Sequence, residues 1–260
     1  MISELQIKAG CRNETTFLKH SYFTRPFKLA DVSEKGATVL HLVMMSASPG
    51  ILDGDDYEIT VELAEGTHVH LYTQSYQRIF NMQKGAKQQI RIDMGAGSSF
   101  CYLPHPSVPH EQSVFEGYNR INLGMDCRLI WGEIITCGRK LSGEVFRCRL
   151  FQSITEVYRE EKLLFKDVTV LQPQQIPADV TGQWEQYTHQ AALYWHDESR
   201  DMTAMADIIN DLLSHEKDIA GGVSQTASGA LLLRILGQGG EQLYNIFKMV
   251  ARLAEEERML

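Results

Sequence analysis

Apolar and polar residues alternate along much of the first 175 residues, which is the pattern of strands buried on one face. The clearest segment is Tyr57–Leu63, and Gln88–Met94 repeats the alternation. The segment His68–Phe80 predicts one long strand. Turn residues, for example Gly54-Asp55 and Glu65-Gly66, separate such segments about every 8 to 14 residues. This spacing is typical of a β-sandwich or of a solenoid-like stack of sheets.

One apolar run, Leu129–Cys137, carries a single acidic residue, Glu133, near its centre. In an extended chain Glu133 shares a face with Trp131. A carboxylate at such a position is costly to bury unless another group pairs with it. Arg139 follows the run after a glycine and is a candidate partner. The pattern therefore predicts either a strand with a satisfied structural acid, a sheet edge, or an acid retained for function.

The pattern changes after Pro173, where a polar connection leads into a segment with helical periodicity. Apolar residues spaced three and four apart predict helices. The predicted elements in chain order are a strand at His189–Trp195, a helix at Asp201–Leu213, a strand at Ala230–Leu236 and a last helix beginning at Gly239-Gly240. Arg234 interrupts the second of these strands and requires a carboxylate partner that the sequence does not identify. The apolar stripe of the last helix favours a place in the core.

Together these elements predict a mainly β protein of stacked antiparallel or mixed sheets, solenoid- or sandwich-like, with a small C-terminal α/β portion containing two helices. We expect a single domain over residues 1–260. Residues 1–175 would form its β-rich body, and residues 176–260 a strand-helix-strand-helix portion.

Composition and charge narrow the function classes. The 260-residue chain has a formal net charge of -8 and a pI of about 5.6, which argues against broad binding to nucleic acid or anionic membranes. Its five cysteines contain no C-x-x-C pair, which fits reduced thiols better than a disulfide framework. The N-terminus lacks the organisation of a signal peptide, and no apolar run approaches the roughly 18 residues of a membrane helix. We therefore expect a cytoplasmic protein.

Candidate chemistry is sparse. His68 and His70 share a strand face and are weak candidates for binding a metal, because spacing indicates no third ligand. His105 and His110 bracket a proline-rich loop, which is either a surface loop or a place where both reach one ion. The chain contains no G-x-S-x-G, GxGxxG or P-loop motif. The residues alone therefore indicate no catalytic set.

Several short segments, taken together, resemble the urease accessory protein family called UreD (also UreH). The segments are Ser48-Pro49-Gly50 with Gly54-Asp55, Thr73-Gln74 with Arg78 and Phe80, Tyr102-Leu103-Pro104 with Pro106 and Pro109, Trp131 and Glu133 with Gly138-Arg139, Gly143-Glu144 and Phe146, and Gly222-Val223-Ser224 with Arg234. They follow one another in the family's order from about Ala47 to Val250. His105 departs from the family pattern, which has an acid there, and His110 stands where an aromatic residue is common.

The resemblance implies a non-catalytic chaperone in urease maturation, with a β-rich fold. Family members bind apo-urease and a UreF-type helical partner, which brings in a UreG-type GTPase carrying nickel. The resemblance implies no permanently bound cofactor, because nickel is handled transiently through a proposed internal passage.

The same resemblance makes Asp55 and Glu133 the candidates for lining that passage, because carboxylates hold nickel more weakly than clustered imidazoles or thiolates. The other motif residues are expected to serve structure or partner binding: Gln74, Arg78, Trp131, Arg139, Glu144 and Arg234. A competing interpretation pairs Glu133 with Arg139 or Arg234 for structure alone. Two further function classes remain as alternatives, a metal-dependent enzyme using His68 and His70, and a β-rich structural or interaction protein.

Overall fold

Strands dominate the computed structural model, which describes residues 2–256. They form a seven-stranded and a ten-stranded sheet. The strands of the seven-stranded sheet are β1 (Ile2–Arg12), β2 (Thr15–Phe23), β5 (Asp56–Leu63), β8 (Ala86–Met94), β11 (Val114–Leu123), β13 (Leu150–Arg159) and β14 (Lys162–Leu171). Those of the ten-stranded sheet are β3 (Phe27–Asp31), β4 (Leu40–Ser46), β6 (His68–Thr73), β7 (Gln77–Ile79), β9 (Ser99–Leu103), β10 (Ser107–Pro109), β12 (Arg128–Thr136), β15 (His189–Asp197), β16 (Ile219–Gln225) and β17 (Leu231–Gly237).

The chain winds between the two sheets. From β4 to β13 it passes back and forth, so that β5, β8, β11 and β13 lie in parallel on one side, and β4, β6, β9 and β12 lie in parallel on the other. Antiparallel strands close the sheet edges, β14 beside β13 and β15 to β17 beside β12. The predicted mainly β architecture of mixed, solenoid- or sandwich-like sheets is therefore confirmed.

Two layers of core follow from this topology. The larger cluster holds inward residues of both sheets, including Val61, Ile92 and Trp131. The smaller cluster holds the opposite face of β9, β12, β15 and β17, covered by α1 (Met202–Ser214) and α2 (Gly240–Glu256). The ten-stranded sheet is thus buried on both faces near its centre, which explains the almost continuous apolar sequence of β12.

The C-terminal elements lie close to their predicted places. Asp201 caps α1 by accepting hydrogen bonds from Thr203 N and Ala204 N. The predicted apolar stripe of α2 packs in the core. The segment His68–Phe80 is divided into β6 and β7, with a bend between them. The strand β16 lies between α1 and β17, where none was predicted, because its IAGGVSQ sequence is weakly apolar.

Candidate functional site between the sheets

Three cavities share lining residues between the two sheets. The front cavity is lined by residues of β3 to β6 and β8, including Tyr57 and Gln74. It shares Gln77, Gln88 and Tyr102 with a central cavity beneath β9, β11 and β12. A rear cavity follows. It lies between the two sheets, with β12, β15 and β17 on one side and β13 and β14 on the other. The cavities therefore follow the strand order of both sheets from one side of the molecule toward the other.

Glu133 lies where the central and rear cavities meet, because it lines both. It sits on β12, whose neighbouring side chains alternate between the inter-sheet core and the helices. Glu133 retains some accessible surface, and that surface opens into these cavities. Burial raises the pKa of Glu133 to about 7, and the negative charge of Asp167 adds to this increase. A hydrogen bond with Ser153 acts in the opposite direction and lowers the pKa.

Trp131 lies beside Glu133 and lines the same two cavities. Its ring packs against Tyr102 with the ring centroids 4.7 Å apart. Its Nε1–H is buried and has no hydrogen-bond acceptor among residues 2–256. An indole N–H donates only, so this buried donor is left without a hydrogen bond inside the described chain.

The opposite wall of the central and rear cavities carries polar residues at inward positions. Asn119 on β11 donates from Nδ2 to Thr155 Oγ1 at 3.0 Å and to Ser153 Oγ at 3.4 Å, and all three are buried. This polar wall is not among the features predicted from the sequence. Its signal is present in the sequence, because the inward positions of β11 and β13 hold asparagine, serine and threonine where a sandwich core usually has apolar residues.

The predicted arginine partners of Glu133 are engaged elsewhere. Arg139 Nε donates to Glu144 Oε2 at 2.9 Å, and this contact lowers the pKa of Glu144. Arg234 pairs with Asp167, which supplies the carboxylate partner that the sequence did not identify. Within the described residues no ion pair reaches Glu133, so the competing interpretation that pairs it with either arginine lacks support.

The Arg139–Glu144 pair holds the loop after β12. Glu144 Oε2 also accepts from Glu111 N at 3.2 Å, which ties the loop to the end of the proline-rich segment. Gly138 lies in this loop with a φ of 117°. A Cβ at this position would lie 2.8 Å from the carbonyl oxygen of Glu144 and 2.9 Å from that of Pro109. Only glycine fits this position.

Asp55 lies at a turn near the front cavity and does not line any of the three cavities. Its Oδ2 accepts from Leu52 N at 2.7 Å and from the Tyr57 hydroxyl at 2.8 Å. Tyr57 lines the front cavity, as does Gln74. Arg78 is on β7, where it pairs with Val108.

The histidines occupy separate environments. His68 Nδ1 lies 2.9 Å from Ser99 Oγ, and His70 Nδ1 lies 3.0 Å from the Tyr72 hydroxyl. His105 stacks on Tyr244 with centroids 4.4 Å apart, and burial lowers its pKa. His110 packs on Phe80 with centroids 4.8 Å apart, and burial and Arg139 lower its pKa. Across residues 2–256, no group of three or more histidine, cysteine, aspartate or glutamate side chains is arranged to hold a metal.

Fold and site together define a class: a mainly β protein whose facing sheets enclose a row of cavities, with the carboxyl group of Glu133 where two of them meet. In the described part of the chain, no helix is long and apolar enough to span a membrane. All five cysteines are free thiols.

Comparisons with known proteins identify the family. The profile described as "UreD urease accessory protein" matches residues 2–259. The chain is 45% identical to the urease accessory protein UreD of Flavobacterium johnsoniae over 99% of its length and 95% of that protein. It is 33% identical to the proteins of the same name from Acetivibrio thermocellus, covering 96% of each chain, and from Haemophilus influenzae, covering 92% of this chain and 93% of that one. The chain belongs to the UreD urease accessory protein family, and this membership supports a role in urease maturation.

Proposed function

We propose that this protein is a non-catalytic, cytoplasmic chaperone that joins apo-urease to UreF- and UreG-type accessory proteins and passes nickel into the urease active site. The UreG-type GTPase would be reached through the UreF-type partner. Neither nucleic acid nor a membrane is a proposed partner, in keeping with the net charge of -8. The observation that carries the nickel step is the position of the Glu133 carboxyl group where two cavities between the sheets meet.

The chemistry of the cavity wall suits a cation in transit. Hydroxyl, amide and carboxylate oxygens hold nickel more weakly than clusters of imidazole or thiolate, so an ion bound by them is released readily. A cation near Glu133 favours the ionised carboxylate, so arrival of the ion displaces a proton from a group whose pKa is about 7. Proton release therefore accompanies loading near neutral pH.

The first test is assembly followed by activation. The chain is co-expressed with the UreF-type partner from the same source and analysed by size-exclusion chromatography with light scattering. The Glu133→Gln variant keeps the shape of the side chain and removes its charge. We expect it to assemble normally but to lower nickel-dependent urease activation by about tenfold or more, as loss of a group that positions a metal commonly does.

Glu62→Gln is the matched control, because Glu62 lies on the exposed surface with its Oε2 2.8 Å from Lys8 Nζ. It should activate urease as the wild type does. Full activation by an assembled Glu133→Gln complex would contradict a role for Glu133 in nickel passage. Failure of the wild-type chain to join a folded UreF-type partner would contradict the scaffold role.

Asp55 would act differently from Glu133. Because its carboxylate supports the turn and the Tyr57 hydroxyl at the front cavity, we propose that it shapes the entrance and influences passage from there.

A further inference from the structure

The loop between β12 and β13 holds a leucine fully in solvent. Leu141 is 103% exposed, more than any other large apolar side chain of the described residues. It is the middle residue of the 3₁₀ turn Lys140–Ser142 and of five consecutive exposed residues, 139–143. Val145, which is 39% exposed, follows it. Folding therefore leaves unused the free energy that burial of this leucine would contribute.

The base of this loop is held in place by polar contacts. Arg139 and Glu144 form an ion pair across it. Lys140 Nζ reaches over to Gln238 Oε1, 3.2 Å away, at the end of β17. These contacts flank Leu141 on both sides without involving its side chain. The leucine is thus presented by a loop whose ends are already ordered.

The second half of the loop is anchored in the core. Phe146 packs on the buried ring of Trp184 with the ring centroids 5.1 Å apart. Phe146 N donates to Cys137 O at 2.7 Å, which joins the two arms of the loop. A loop ordered in advance loses little conformational entropy when a partner binds it. This favours Leu141 as a contact residue over an exposed leucine on a mobile segment.

Positive charge surrounds the leucine. Residues 139–149 contain four basic side chains and one acid, Glu144, and a second acid, Glu111, lies close enough for its charge to act on Arg139. The four basic residues are Arg139, Lys140, Arg147 and Arg149. They leave a surplus of two positive charges here, whereas the whole chain has a net charge of -8. The surface that complements this loop is therefore acidic.

We propose that the Leu141 loop, residues 138–146, is a docking element whose partner is a protein surface with an apolar socket for one leucine and a rim of carboxylates. An apolar anchor in a pocket commonly carries much of the binding free energy of an interface. Charges at the rim raise the association rate and fix the orientation. This inference rests on the proposed function, because the partners in urease maturation supply the candidate surfaces.

The test measures binding of the full chain to apo-urease and, separately, to the UreF-type protein by biolayer interferometry. Leu141→Ser removes the anchor at a fully exposed position, so the fold should be retained. We expect its affinity for one of the two proteins to fall about tenfold or more, the effect of losing one buried leucine. Leu141→Met keeps an apolar side chain of similar volume and should retain most of the affinity.

The charge of the loop is tested through the association rate. Lys140→Glu should slow association several-fold at low salt, and the difference from the wild type should shrink as salt is added. An unchanged rate at low salt would contradict an acidic rim.

Met125→Ser is the matched control for Leu141→Ser. Met125 is 56% exposed and lies in the turn before β12, whereas the Leu141 loop follows β12. The nine residues of this strand separate the two sites by about 30 Å. Met125→Ser should bind both proteins as the wild type does.

The outcomes separate the inference from the proposed function. If Leu141→Ser binds both proteins as tightly as the wild type does, the docking role is overturned and the proposed function stands. Equal losses in Leu141→Ser and Met125→Ser would also overturn it, because the effect would then not belong to the loop. If the wild-type chain binds neither folded protein, the scaffold role falls and the inference falls with it.

Discussion

Glu133 is held in a state that responds to its surroundings near neutral pH. Burial between the sheets raises its pKa to about 7 from an ordinary value of 4.5, with Asp167 adding to the effect. The folded chain therefore binds a proton at this position over a pH range in which the unfolded chain has lost it. Stability is therefore linked to pH through this one group.

The raised pKa of Glu133 predicts that the free energy of unfolding depends on pH. Because the folded-state pKa is raised, its stabilising contribution is fully present below pH 4.5 and is lost as pH rises through about 7. At about 1.4 kcal/mol per unit of pKa, the loss approaches about 3 kcal/mol. Relative to the wild type, Glu133→Gln should gain up to that amount between pH 5 and pH 8, measured by urea unfolding.

Glu62→Gln provides the reference for the same measurement, since Glu62 is on the surface. A difference between Glu133→Gln and the wild type that stays constant from pH 5 to pH 8 would show that Glu133 has an ordinary pKa.

Single residues differ in how far the sequence alone reveals them. Glu133 stood out because an acid inside an apolar run violates the pattern of its strand. Asp167 did not, because β14 alternates charged and apolar residues in the manner of any edge strand. Its ion-pair partner, Arg234, is 67 residues away in the sequence and comes beside it only through the sheets.

At the scale of elements, β15 forms part of the wall of the rear cavity. Ala192 lies between Glu133 and Arg234 in register and lines the rear cavity, so its small side chain leaves space beside Glu133. Its neighbours Ala191 and Leu193 face the helices instead. The alternation of β15 thus assigns one alanine to the cavity and the other to the core.

The Ala192→Val substitution should therefore obstruct the rear cavity without removing an ionisable group. The added methyl groups enter the rear cavity, and we expect nickel-dependent activation to fall several-fold, with a stability change of about 1 to 3 kcal/mol from overpacking. Activation and urea unfolding are measured on the assembled complex and on the chain. Ala192→Ser, which adds one polar atom, should keep activation close to wild type; equal activation by the valine variant would argue against transit past this residue.

At the scale of the whole molecule, local sequence patterns predict the mainly β class and the two helices but not the order of strands in the sheets. The helices α1 and α2 carry strong periodicity, Asp201 caps α1, and both helices lie where the sequence predicts them. The winding of parallel strands between two sheets was not recoverable in detail, because each pairing joins residues distant in sequence and no repeat marks the turns. The cavities between the sheets arise from that winding, so the sequence did not predict them either.

The two helices brace the sheet that carries Glu133. Phe247 on α2 is fully buried and packs on Gly132, where a Cβ would lie only 2.9 Å from its ring. Gly132 lies between Trp131 and Glu133, so this contact supports the cavity wall from behind. The absence of a side chain at Gly132 allows α2 to approach β12 closely.

Phe247→Ala should therefore destabilise the molecule as a whole. Removing a fully buried aromatic side chain costs about 3 to 5 kcal/mol of stability, because the free energy of burying the ring is lost and a cavity is left in its place. We expect a single, earlier urea transition monitored by circular dichroism and by tryptophan fluorescence. Ile208→Ala, at a position of α1 that is 43% exposed, should stay within about 0.5 kcal/mol of wild type. Separate transitions for helix and strand signals would show that α2 unfolds independently, and the helix could then not be what holds Glu133 in place.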